Sequence, residues 1–240
     1  MKFIKKFIFF IVIISCSDKK TEINTSEFDK VLGKENIKTL DFLVSDFEND
    51  FLKRQYPNLD TKNAYRQFLT ELRDEKTENW KKISQKARNQ FKSSELRLEM
   101  YEFPDSVWIL ENSTIDKIES DSLVFLESPI PYVKSRFKYT NPDGITEYMY
   151  SRSYGEIMRK SDFDSIINRE LESPKMNYVG KYMRALESIK DKSNFIEEFF
   201  DTKKSFGLLI PKSTARVMLN YDIDLNDKLN RKIIVLELVY

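Results

Sequence analysis

Apolar residues three and four apart recur at both ends of this chain and fail in its middle, a pattern that constrains the fold more than any motif in it. Ile37, Leu40, Val44, Phe47 and Phe51 stand at helical spacing, and Pro57 closes the segment. Thr61 is expected to cap a second helix, with Ala64, Tyr65, Phe68, Leu69 and Leu72 on one side. A third is expected from about Glu78 to Met100, carrying Trp80, Ile83, Ala87 and Phe91, with Ser93 and Ser94 as a point of division. Towards the other end, Ser173-Pro174 reads as a cap and a first-turn proline leading to Val179, Tyr182, Met183, Leu186 and Ile189. Asn194 and Glu197 have capping-box spacing for a helix that ends near Phe206-Gly207, with Phe195, Phe199 and Phe200 in its core. Pro211 opens a short helix through Ala215 and Met218. Asn226 or Asp227 then caps DKLNRKIIVLELVY. Its β-branched run suits a strand, but Leu229, Ile233, Leu236 and Tyr240 also fit a buried helix, which is the reading preferred.

The middle reads differently. VWIL (107–110) and LVFL (123–126) are short apolar runs bounded by Asp, Ser and Asn, the mark of strands. YVKSRFKYT-NPDG-ITEYMYSRSY follows, in which Pro142 and Asp143 suit a type I turn and Gly144 supplies a left-handed residue. Pairing Asn141 with Ile145 puts Val133, Phe137, Tyr139, Ile145 and Met149 on one face. Lys134, Arg136, Lys138, Tyr148, Tyr150 and Arg152 then share the other. Interleaved cations and rings can hold an anionic or sugar-bearing ligand. The same residues can also be cross-strand neighbours whose alkyl stems cover rings on a solvated face. The expected fold is mainly α, with a small antiparallel β insertion whose hairpin lies around 132–154. It forms one globular domain over 26–240, helical over 26–103, β-containing over 104–155 and helical again over 161–240.

Eighteen Phe, 12 Tyr and 2 Trp with 40% hydrophobic residues belong to a folded chain, and only 5 Gly and 7 Pro suit a helical body. There is no histidine, which removes the usual base of serine and cysteine hydrolases and the commonest zinc ligand. No nucleophile elbow, dinucleotide fingerprint or P-loop occurs. A two-carboxylate glycosidase needs a defined pair, and nothing singles one out among 39 acids. Asp222, Asp224 and Asn226 match the first oxygen positions of a calcium loop, but Asp227 stands where glycine is required and Ile233 where glutamate is. No catalytic residue, metal or cofactor is therefore expected.

The first residues, MKFIKK, precede an apolar block from Phe7 to Ile14, too short to span a bilayer. The ending Ile13-Ile14-Ser15-Cys16 resembles the bacterial lipobox. The resemblance implies a signal over 1–15 that is removed, a diacylglycerol on the Cys16 thiol and an acylated new amino terminus. Two or more acyl chains anchor stably, so the membrane is the first partner expected, through Cys16, with 16–25 as lipidated cysteine and tether. Cys16 is the only cysteine, so no disulfide is possible and the domain must stand on its core. The signal holds three lysines and no acid, so its removal leaves 37 basic against 39 acidic groups, a net charge of −2. That balance argues against nucleic acid as a partner.

The segment from 173 to 240 is similar to a group of envelope lipoproteins from Bacteroidota-type bacteria. Tyr182 and Leu186, the Gly207 to Pro211 spacing, the loop with Asp222, Asp224 and Asp227, and the run IIVLELVY carry the likeness, and AYRQFL fits the same group. The resemblance implies a helical fold and an outer-membrane lipoprotein facing periplasm or surface, with no activity attached. The leading expectation is a non-enzymatic module that binds a partner protein or surface polymer. A periplasmic immunity lipoprotein and a histidine-free glycan or peptidoglycan hydrolase are the alternatives.

Overall fold

The computed structural model describes residues 25–110, 132–140, 145–154 and 162–240. Cys16, the LVFL run and the turn at 141–144 lie outside them. Helix α1 (Thr25–Leu32) and α2 (Lys34–Asp46) meet at Gly33, whose φ of +90° suits glycine alone. Helix α2 runs uncapped into a π-helical stretch, Phe47–Leu52, and a last turn, α3 (Lys53–Gln55). The wider π turn lets Phe47, Phe51 and Leu52 all face inward. The buried row is Leu40, Leu43, Phe47 and Phe51, while Ile37 and Val44 flank it half-buried.

Helix α4 (Thr61–Arg73) buries Ala64, Tyr65, Phe68 and Leu69 as expected, but its cap is Asp60, which accepts from the Asn63 N–H at 2.8 Å. The expected third helix starts late. Residues 77–84 are irregular because Trp80 stacks on Phe68, with centroids 4.8 Å apart, and donates its Nε1–H to Glu71 at 2.5 Å. Only at the Ser84 cap does α5 (Gln85–Lys92) begin, and Ser94 caps α6 (Glu95–Met100), so the serine pair does divide the segment.

A two-residue strand, β1 (Tyr101–Glu102), pairs antiparallel with β5 (Lys175–Met176). This overturns the expected helix start at Ser173-Pro174. The Asn177 N–H donates to the Met100 carbonyl, its Nδ2 to that of Leu98, and α8 (Lys181–Glu187) opens only after Gly180. A Cβ on Gly180 would lie 2.1 Å from the Glu99 oxygen, so this junction requires glycine. The strands β2 (Ser106–Leu110), β3 (Tyr132–Thr140) and β4 (Thr146–Tyr154) form an antiparallel sheet in that order. Helix α7 (Phe163–Leu171) lies on its inner side, within the expected helical portion but not singled out by its sequence.

Helix α9 (Asn194–Phe206) is capped by the Ser193 hydroxyl, one residue earlier than expected, and ends at Gly207 with φ +72°. Pro211 opens α10 (Pro211–Asn220), and Asp227 caps α11 (Lys228–Leu238). The last segment is thus a helix. Ile233, Ile234, Val235 and Leu236 are all buried, so it lacks the polar stripe that marks a helix in sequence. Phe195, Phe199 and Phe200 are core residues, as expected. The fold is mainly α, with two small antiparallel sheets among the described residues. Among the described residues no helix is long and apolar enough to cross a membrane.

Candidate functional site: the outer face of the three-stranded sheet

The pairing Thr140↔Thr146 continues through Lys138↔Tyr148, Arg136↔Tyr150 and Lys134↔Arg152, the register expected from the hairpin pattern. All six candidate residues therefore share one face. Pairing of β2 adds Trp108 beside Lys134 and Ser106 beside Arg136. The tryptophan was hidden in sequence because VWIL reads as one apolar run, and only the register of β2 on β3 shows which side it takes. On the opposite face Val133, Ser135 and Phe137 are buried, with the Ser135 hydroxyl 3.4 Å from Glu170 of α7. Ile145 and Met149, expected on that apolar face, share its side, but both are exposed at the β4 edge.

Cations and rings on the outer face meet diagonally. Lys134 Nζ lies 4.8 Å from the Tyr150 centroid, and the Arg136 guanidinium 5.0 Å from Tyr148 and 5.8 Å from Trp108. Arg152 lies 5.7 Å from Tyr132. Trp108, Tyr148 and Tyr150 are well exposed, so each ring has one side free to stack. Arg136 is the fixed member. Its Nε and Nη2 donate to the two Asp105 oxygens at 2.9 Å each, and Nη2 also to Ser106 Oγ at 2.9 Å. That bond raises the arginine pKa further and holds the Asp105 carboxyl below its usual range.

Lys134 and Arg152 stand directly opposite each other, an arrangement that is unfavourable in a sheet unless an anion sits nearby. By alternation no Asp or Glu of the three strands points to this face, since Glu147 pairs across from Tyr139 on the other. Among the described residues adjoining β2, Asp105 reaches this face and is already engaged by Arg136. Lys138 makes no ion pair among the described residues.

The aspartates of the would-be calcium loop go to separate tasks. Asp222 pairs with Arg66 at 2.6 Å, Asp224 accepts from the Asn226 N–H at 3.0 Å, and Asp227 caps α11. A concavity between α9 and α10 has a volume of about 410 Å³ and is lined chiefly by Phe199, Phe206, Leu208, Leu209, Ile210 and Val217. Its carboxylate, Glu198, accepts from the Tyr221 hydroxyl. Comparison with protein-family models, with curated proteins and with solved structures returned no match.

Proposed function

We propose that the chain is a lipid-anchored protein of the cell envelope, held to the outer membrane through Cys16. In this reading it is a binding module, not an enzyme, and the outer face of β2–β3–β4 takes a carboxylate- or phosphate-bearing glycan polymer. The observation that carries the binding surface is the Lys134–Arg152 pair, with Trp108 beside Lys134 and Tyr150 diagonal to it, on a face to which no acid of the three strands points. Charge draws the acidic groups, and the exposed rings stack on the sugars between them. Glu198 stands in an apolar cleft with its oxygen already bonded, so that cleft offers no carboxylate pair of the kind a glycosidase uses.

Retention on immobilised heparin and polygalacturonate, with dextran as the neutral reference, tests the reading. The parent chain should bind both acidic polymers in a salt-sensitive manner and pass over dextran. Lys134→Gln with Arg152→Gln should weaken binding roughly tenfold, about 1.4 kcal/mol. Tyr148→Ala with Tyr150→Ala should weaken it to a similar degree with an unchanged salt slope. Equal retention of parent and both variants would end the proposal.

A further inference from the structure

The turn between α9 and α10 breaks the rule that loops are polar. Phe206, Leu208 and Ile210 are 76%, 44% and 68% exposed, and all three sit within five residues. Gly207 brings a second apolar segment to the same place: a Cβ there would lie 2.9 Å from the Tyr178 hydroxyl, and Tyr178 and Val179 are themselves exposed. Behind this tip lies the apolar cleft of about 410 Å³. Of its polar lining groups, Glu198 accepts from Tyr221 and the Thr214 hydroxyl donates to the Ile210 carbonyl, with Thr202 and Ser213 beside them. A ligand seated there meets mostly hydrocarbon.

We infer that this tip is a bilayer-contact site, which inserts Phe206, Leu208 and Ile210 among lipid acyl chains. Its composition is that of an interfacial anchor. Lys204 stands two residues before Phe206 with its ammonium over the Phe200 ring, and Lys212 two residues after Ile210, bridging to Glu75. Lysines so placed can keep their heads among anionic headgroups while their stems follow the apolar residues down. Tyr178 supplies the amphipathic ring that favours the same depth. The exposed parts of the five side chains amount to a few hundred Å², short of the roughly 800 Å² per partner of a stable protein interface. A bilayer accepts a protruding loop without a complementary shape.

The path of the chain agrees. Helix α1 starts beside the beginning of α9, where Glu27 lies 3.8 Å from Lys192, and the thirteen residues of α9 lead from there to the tip. That is about 20 Å along the helix. The segment from Cys16 to Thr25 spans at most about 30 Å, so one membrane surface can hold both.

The test uses the full chain with Cys16→Ser and a single new thiol, Leu208→Cys, carrying an environment-sensitive fluorophore. It is reconstituted through its own leader into vesicles of phosphatidylethanolamine and phosphatidylglycerol, so the result does not depend on whether Cys16 is lipidated. The same label at Leu59→Cys, an equally exposed leucine in another turn, is the reference. A blue shift at 208, with roughly twofold deeper quenching by brominated lipid than at 59, is expected, and Phe206→Ser with Ile210→Ser should abolish it. Water-like emission at 208 overturns the inference. So does a shift that ignores brominated lipid and grows with protein concentration, which would assign the tip to a second copy.

Discussion

Glu71 is the hub of the helical half. Its oxygens accept from the Tyr56 hydroxyl at 2.8 Å, Trp80 Nε1 at 2.5 Å and Gln67 Nε2 at 2.8 Å. Burial alone would raise its pKa, but the three donors outweigh it and hold the carboxyl below the usual glutamate range. The folded-state pKa is thus depressed. The ionised group stabilises the fold above the unfolded-state value, and that contribution is lost as pH falls through the folded one. Glu71→Gln should lower stability at neutral pH by about 1–2 kcal/mol, and the gap to the parent should close in acid. Thermal melts of both chains over that range check this, and a constant gap would refute it. Sequence gave no hint of this residue, because a glutamate on an amphipathic helix reads as solvated until Trp80, nine residues on, folds back over it.

Three helices are fastened by one buried ion pair. Lys203 of α9 and Glu237 of α11 lie 2.8 Å apart at 1% and 5% side-chain exposure, and the Tyr182 hydroxyl of α8 donates to the other Glu237 oxygen at 2.6 Å. Burial, with Glu237 beside it, pushes the Tyr182 phenol far above its usual range. Removing one partner strands a charge in the core, whereas replacing both with apolar groups of similar shape costs little. Glu237→Leu should therefore destabilise by about 3–5 kcal/mol, and adding Lys203→Met should restore part of it, because the Tyr182 hydroxyl still lacks its acceptor. Urea unfolding of the two single variants and the double variant measures this. Additive losses would mean that the pair is not a unit. Each partner looks ordinary in sequence: Lys203 sits in a last turn that favours cations, and Glu237 interrupts an aliphatic run.

At the scale of the whole molecule, a helical core carries a sheet with its own small apolar patch, Val133 and Phe137 against α7. A charged and aromatic outer face is thus presented away from the elements that stabilise the fold. The proposed anchor completes the picture and has its own test. In cells, the parent should incorporate radioactive fatty acid and lose residues 1–15, and Cys16→Ser should do neither. Label retained by Cys16→Ser would remove the anchor from the proposal.

Local chemistry was enough to determine the helices around Tyr65, Phe199 and Met218, the break at Gly207, and the hairpin register that gathers Lys134, Arg136, Lys138, Tyr148, Tyr150 and Arg152. Side-chain period and turn residues act over a few positions, and those features need nothing more distant. Tertiary contact decided the rest. It unwound residues 77–84 around Trp80, made 175–176 a strand against 101–102, and placed Trp108 on the outer face of the sheet. It also left Phe206 and Ile210 outside. Each of these outcomes depends on partners nine or more residues away, or on which apolar side chains find cover, and spacing along the chain carries neither.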